Sequence, residues 1–154
     1  SSDVCSSDLG NDIHDSIGFN FKFTEMQAVV GNEQMKKLPW RVERKKEIYN
    51  LYNENLIGLD QAVFFDQDTF YTSPWFIDVI VENRKSLIEF LRKNNIGTRV
   101  MYPPINSQIP YSHNGSYPVS KRVGHSGLWL PSAAQLSDEQ VLFVCNVIRQ
   151  FYSK

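Results

Sequence analysis

The apolar positions along the chain follow two periods, one typical of helices and one typical of strands. Thr24 and Gln27 have the spacing of a capping box, and after them apolar residues recur every three or four positions. This pattern predicts a helix that ends at Pro39, because proline lacks an amide donor and clashes with the preceding turn. The same spacing predicts a second helix over residues 40–56.

Two further helices and several strands are predicted towards the carboxyl end. Asn83 is predicted to cap a helix that runs to about Asn94, and Ser137 with Gln140 forms a capping box before the last helix. Extended segments are predicted where apolar residues run together or alternate with polar ones, at 18–23, 62–65, 75–81, 98–102 and 127–130. Strand, helix and strand between residues 75 and 102 predict an α/β fold. The spacing allows either a parallel sheet or an antiparallel sheet with an intervening strand.

Composition and charge narrow the classes of function. The chain of 154 residues is 42% hydrophobic and has 16 Lys and Arg against 17 Asp and Glu, so a folded domain without affinity for nucleic acid is expected. No apolar run reaches the roughly 18 residues that a membrane span requires. The histidines are scattered and no metal-binding motif is present, so we expect no metal site. Nothing suggests disulfides, which favours a cytoplasmic location.

The first nine residues differ from the rest of the sequence. They read SSDVCSSDL, in which Ser-Ser-Asp occurs twice around Val4 and Cys5. We expect this segment, residues 1–9, to be non-native, because it resembles a translated sequencing adapter joined to a gene fragment. A disordered amino terminus is the alternative. On the first interpretation the natural sequence starts near Gly10 and continues a gene whose upstream part is missing.

Asn20 and Lys22 give the strongest local indication of a binding site. Residues two apart in an extended segment face the same side, so an amide and an ammonium converge on one point. Beside the start of a helix, such a pair can bind a phosphate. The solvent-exposed side of a strand is the alternative explanation for the same pattern.

Residues 18–28 read GFNFKFTEMQA, which resembles the G-x-N-aromatic-basic-x-[ST]-[DE]-x-Q-A segment of the DegT/DnrJ/StrS sugar aminotransferases. Further segments resemble that family in the same order, at 44–52, 74–76, 96–99, 102–104, 108–111, 130–131 and 136–137. The resemblance therefore covers the chain from about His14 to Tyr152. Within the family it is greatest to enzymes of the perosamine-synthase type.

The resemblance implies a homodimer with the PLP-dependent transferase fold type I, in which pyridoxal 5'-phosphate is the cofactor. The family transfers an amino group, usually from glutamate, to a nucleotide-linked keto sugar. Its Schiff-base lysine lies upstream of the segment matched here, so no catalytic residue is expected in this chain, which alone should be inactive. Residues 10–38 are expected to be a remnant of the large cofactor-binding domain and residues 39–154 the small C-terminal α/β domain.

The resemblance also assigns candidate binding residues. Asn20 and Lys22 match family residues that reach the cofactor phosphate of the partner subunit, although arginine is commoner at the second position. The residues that match segments lining the sugar-nucleotide site are Arg99, Tyr102, Asn106 and Gln108. The family often has histidine where this chain has Asn106, which bears on the sugar it accepts. Trp75 and Trp129 have apolar neighbours and are expected in the core.

Two other kinds of function remain open from the sequence. Some members of the family lack the catalytic lysine and act as dehydratases or regulators. A non-catalytic α/β module that binds a ligand would also be consistent with a chain that lacks a complete active site.

Overall fold

The structure, a computed structural model, describes residues 23–111 and 115–153. Two units are distinguished along the chain, Ser1–Pro39 and Trp40–Lys154. The described α-helices are α1 (Glu25–Leu56), α2 (Arg84–Lys93), α3 (Pro118–Ser126) and α4 (Asp138–Tyr152). The described strands are β1 (Ala62–Phe64), β2 (Ile77–Val81), β3 (Arg99–Val100) and β4 (Gly127–Leu130). None of the described helices has the length and apolarity that a membrane span requires.

Helix α1 continues through Pro39, so the predicted helix end at that residue is wrong. Its predicted start is confirmed by two hydrogen bonds. The backbone N–H of Gln27 donates to Thr24 Oγ1 at 3.3 Å, and the backbone N–H of Thr24 donates to Gln27 Oε1 at 2.9 Å. A proline inside a helix costs about 3 kcal/mol, but the packing of an apolar face can outweigh this local cost. Here the part of α1 after Pro39 buries Ile48, Tyr49, Tyr52 and Leu56.

The strands form one antiparallel sheet in the order β1-β2-β4-β3. Strands β2 and β3 are joined through α2 but are not neighbours, since β4 lies between them. Of the two arrangements that the sequence left open, the antiparallel sheet with an intervening strand is therefore the one observed. The predicted α/β class is confirmed.

One face of the sheet packs against helices to make the hydrophobic core of the second unit. Side chains alternate between the two faces of a strand, so every second residue of β2 points into this core. The buried members include Ile48, Tyr52 and Leu56 of α1, Leu87 and Leu91 of α2, Val141, Val144 and Ile148 of α4, and Ile77, Val79, Val81, Leu128 and Leu130 of the sheet. The opposite face, called here the outer face, carries the intervening residues, which include polar and aromatic side chains.

Local hydrogen bonds fix the start of α4 and connect it to α1. The backbone N–H of Gln140 donates to Ser137 Oγ at 3.3 Å, and the backbone N–H of Ser137 donates to Gln140 Oε1 at 3.0 Å. These two bonds confirm the predicted capping box. The guanidinium of Arg44 donates to the carbonyl of Leu136 at 2.6 Å and to Asp138 Oδ1 at 2.7 Å. A basic residue of α1 thus holds the segment from which α4 begins.

Two further elements differ from the sequence-based expectations. Helix α3 begins at Pro118 and was not predicted, because Val119 and Val123 are its only aliphatic side chains after the proline and two positions are too few to indicate a helical period. Helix α2 starts after Asn83 as predicted, but Asn83 is left-handed (φ 47°) and its side chain makes no capping hydrogen bond. The residue therefore marks the turn into α2 by its backbone conformation and not by side-chain capping.

Candidate functional site

Aromatic side chains stack along the outer face of the sheet, with Trp129 of β4 at the centre. The ring of Phe76, just before β2, is stacked on Trp129 with centroids 4.3 Å apart and planes inclined by 14°. The ring of Trp75 is stacked on Phe76 at 5.8 Å and 15°. On the side of β3, the ring of Tyr102 meets Trp129 edge-on, with centroids 5.1 Å apart. These four residues, together with Arg99, are called the aromatic stack below.

Arg99 is held by the two aromatic rings nearest to it. Its Cζ lies 5.4 Å from the ring centroid of Tyr102 and 5.4 Å from that of Trp129, which are cation–π distances. None of the ion pairs within residues 23–111 and 115–153 involves Arg99. A guanidinium in cation–π contact still has N–H groups available for an anion. The site therefore offers an exposed, oriented cation that suits a phosphate or diphosphate.

Asp78 of β2 fixes the edge of the central ring. Trp129 lies opposite Asp78 on one neighbouring strand and opposite Arg99 on the other, so the three side chains share the outer face. The indole N–H of Trp129 donates to Asp78 Oδ1 at 2.6 Å. Burial raises the pKa of the Asp78 carboxyl, and hydrogen bonds from Trp129 and Gln67 partly offset this effect.

We expect the difference in free energy of unfolding between Asp78→Asn and the unchanged chain to change with pH. The difference should shift in favour of Asp78→Asn as the pH rises above 3.8, the ordinary pKa of aspartate. The folded protein holds the Asp78 proton more tightly than the unfolded chain does, so the stability of the unchanged chain falls as this carboxyl ionises. Asparagine does not titrate, and its amide oxygen still accepts from Trp129. Urea unfolding of both chains from about pH 3 to about pH 7 measures the difference. A difference that is constant over this range would contradict the expectation.

Of the two tryptophans expected in the core, Trp129 is buried and Trp75 is not. Trp75 is 80% exposed, so its expected burial is wrong. Its backbone is nevertheless anchored, since Lys45 Nζ donates to the carbonyl of Trp75 at 2.7 Å and to Ser132 Oγ at 3.2 Å. Trp129 is only 8% exposed, but it is buried on the outer face by its stacking partners and lies outside the hydrophobic core cluster.

Of the candidate substrate residues, the structure brings Arg99 and Tyr102 together and places the other two apart from them. Asn106 lies in a 3₁₀ turn (Ile105–Ser107) and lines a separate cleft of about 810 Å³. The cleft is also lined by Arg84, Pro103, Pro104, Ser107, Tyr117, Lys121 and His125. Gln108 directly follows this turn and is exposed. Its backbone N–H donates to the carbonyl of Ile105 at 3.1 Å. The candidate cofactor residues Asn20 and Lys22 lie outside the described residues.

Sequence reasoning missed Phe76, Asp78 and Trp129 as parts of one site. For Asp78 the sequence indicated only the face of the sheet, because a single carboxylate inside the apolar strand 75–81 has to lie on the face away from the core. The contribution of Trp129 depends on β4 lying between β2 and β3, which no local pattern indicates.

The described residues offer little for metal or thiol chemistry. Within 23–111 and 115–153, no three His, Cys, Asp or Glu side chains are grouped so that they could hold a metal ion. Cys145 is buried in the core, and this burial raises the pKa of its thiol to about 12. The thiolate that a nucleophile requires is therefore disfavoured at neutral pH.

Known proteins resemble this chain in sequence and in fold. A "GDP-perosamine synthase" of Escherichia coli O157:H7 is 33% identical over 144 residues, which are 91% of this chain and 39% of that protein. The structure of S. venezuelae DesV in complex with a ketimine intermediate superimposes with a TM-score of 0.84 at 25% identity, covering 92% of this chain and 40% of that one. A DegT DnrJ EryC1 StrS aminotransferase from Brucella abortus gives a TM-score of 0.80 at 27% identity, over 94% and 40%.

The chain thus spans about 40% of the length of the relatives that it matches. The similarity to perosamine synthases and the fold class, both expected from the motifs, are confirmed. The characteristic sequence of the DegT/DnrJ/EryC1/StrS aminotransferases matches residues 4–149. The chain therefore belongs to the DegT/DnrJ/EryC1/StrS aminotransferase family.

Proposed function

We propose that this chain is the C-terminal portion of a pyridoxal-phosphate-dependent aminotransferase. The whole enzyme would transfer an amino group from glutamate to a nucleotide-linked keto-deoxy sugar that becomes a precursor of surface polysaccharide. Membership of the family and the similarity to a GDP-perosamine synthase support this substrate class. The free thiol of Cys145 supports a cytoplasmic location.

The observation that carries the proposal is the position of Arg99. Its guanidinium lies over the rings of Tyr102 and Trp129 and forms no ion pair with the described residues. A nucleotide-linked sugar carries a diphosphate, and an oriented guanidinium can bind it through two N–H groups at once. The aromatic stack therefore presents what such a substrate needs, a cation whose orientation is fixed before the substrate binds.

The residues present also fit the cofactor phosphate chemically. Asn20 and Lys22 provide an amide donor and a cation, which together suit a phosphate dianion. We propose that they bind the phosphate of pyridoxal 5'-phosphate in the partner subunit of a homodimer. When bound, this cofactor accepts the amino group from the donor and passes it to the sugar. The described residues would contribute the binding and orientation of the sugar nucleotide.

Exposed apolar side chains in the first unit support a larger protein. Five apolar side chains of α1 before Pro39 are exposed, namely Met26, Val29, Val30, Met35 and Leu38. Apolar surface of this kind is normally covered by another part of a protein. We therefore propose that residues 10–38 belong to a large cofactor-binding domain and that residues 39–154 form the small domain.

The coding sequence upstream of Gly18 tests the proposal. We expect it to encode a lysine for the cofactor, with an aspartate further upstream. The extended protein should bind pyridoxal phosphate with a visible absorbance band and transfer amino groups from glutamate to a keto-sugar nucleotide. The 154-residue chain alone should do neither. An upstream reading frame without such a lysine would overturn the aminotransferase proposal and favour a dehydratase or regulatory relative.

A further inference from the structure

The outer face holds a half-buried carboxylate that the proposed substrate binding does not explain. Asp78 is the one acidic residue of β2, and its neighbours on that strand are apolar. Placing a carboxylate there costs folding free energy, which the raised pKa of Asp78 reflects. Its partners within the described residues are the indole N–H of Trp129 and the side chain of Gln67. The carboxylate thus acts on the central ring of the aromatic stack.

The contacts connect Asp78 to Arg99 through a single side chain. The bond from Trp129 to Asp78, at 2.6 Å, fixes rotation of the indole about its side-chain torsions. The ring so fixed is covered by Phe76 from the side of β2, with planes 14° apart, and by Arg99 from the side of β3. A guanidinium over a ring follows the orientation of that ring, because the attraction depends on its position over the π face.

We propose that Asp78 is a positioning residue: it holds the Trp129 indole in the orientation that presents the Arg99 guanidinium to the diphosphate of the nucleotide-linked substrate. The inference rests on the proposed function, because that function supplies the diphosphate. It adds that the affinity for the anion depends on a residue two strands away from Arg99.

The proposal predicts that removing the acceptor weakens binding of GDP, whereas replacing it by a neutral acceptor does not. Asp78→Ala should raise the Kd of GDP by about 3- to 10-fold, the range of one ordinary lost hydrogen bond, because Asp78 acts on the ligand only through Trp129 and Arg99. Asp78→Asn should bind GDP at least as tightly as the unchanged chain, since it keeps the acceptor and removes a negative charge. Isothermal titration of the 154-residue chain measures both constants. Glu89→Ala, which removes an exposed charge on α2, is the control and should leave the Kd unchanged.

Two further measurements separate positioning from general stability. Guanosine lacks the diphosphate, so its Kd should be the same for Asp78→Ala and the unchanged chain. In a chain that also carries Arg99→Gln, Asp78→Ala should have no further effect on GDP, because the effect acts through Arg99. Equal weakening of GDP and guanosine, or an undiminished effect in the Arg99→Gln background, would overturn the positioning role.

A measurement without any nucleotide keeps this test independent of the proposed function. In proton–nitrogen NMR spectra, Asp78→Ala should shift the signals of both the Trp129 indole N–H and the Arg99 Nε–H. Asp78→Asn, if folded, should shift the Arg99 signal less than Asp78→Ala does. An Arg99 signal that does not respond to Asp78→Ala would overturn the inference, whether or not the whole protein proves to be an aminotransferase. A GDP affinity that is insensitive to Arg99→Gln would instead count against the substrate site itself.

Discussion

Replacing Ile48 by alanine is expected to lower the free energy of unfolding of this chain by about 2–5 kcal/mol. The side chain is 0% exposed and belongs to the core cluster in which α1, α2, α4 and the sheet meet. Truncation removes buried apolar surface and leaves a cavity that close-packed neighbours cannot fill without strain. Denaturation by urea, followed by circular dichroism, gives the difference between the two chains.

The control for this prediction is the same change at an exposed isoleucine. Ile57 follows α1 directly and is 75% exposed, so Ile57→Ala should change the free energy of unfolding by no more than about 0.5 kcal/mol. Similar losses for Ile48→Ala and Ile57→Ala would mean that the core does not lie where α1 meets the sheet. A milder change, Ile48→Val, should cost about 0.5–1.5 kcal/mol.

Elements that depend on neighbouring residues alone were predictable from the sequence. Strand β4 has the bounds predicted for it, and the capping box of Ser137 and Gln140 is present as predicted. In each case the determining contacts join residues a few positions apart. The pattern of residue types therefore already contains the information that fixes the element.

The failed expectations depend on contacts that are distant in sequence. Pro39 breaks a helix by local rules, yet α1 continues because four residues after it are anchored in the core. Trp75 looked like a core residue because its neighbours are apolar, but the chain turns it outward onto Phe76. Periodicity describes how residues alternate along an element and does not say which elements become neighbours.

The candidate site likewise has parts that local sequence motifs predict and parts that depend on contacts distant in sequence. The family motifs assign Arg99 and Tyr102, and the structure adds that Arg99 makes cation–π contacts with Tyr102 and Trp129, whose rings meet edge-on. Residue Asp78 could not be assigned to the site from the sequence, because its role requires β4 to lie between β2 and β3. The motif therefore supplies the cation, whereas the strand order supplies the group that orients it.

If this orientation serves a diphosphate, replacing the cation is expected to have a larger effect on ligand affinity than replacing any of its supports. Arg99→Gln should raise the Kd of GDP by about 10- to 150-fold, the usual range for lost hydrogen bonds to a charged group. The Kd of guanosine should be unchanged, since the base and ribose carry no charge for Arg99 to bind. Isothermal titration of both ligands at one fixed salt concentration provides the comparison, because ion pairing weakens as salt increases.

Arg99→Lys distinguishes the shape of the cation from its charge. Lysine keeps the positive charge but loses the planar fork and most of the stacking on Tyr102 and Trp129. Its affinity for GDP should therefore lie between those of Arg99→Gln and the unchanged chain. Full affinity in Arg99→Lys would show that charge alone suffices, and the stacked geometry would then have no part in recognition. An intermediate affinity, together with sensitivity to Asp78→Ala, would mean that the outer face of the sheet binds its ligand through the orientation of one guanidinium.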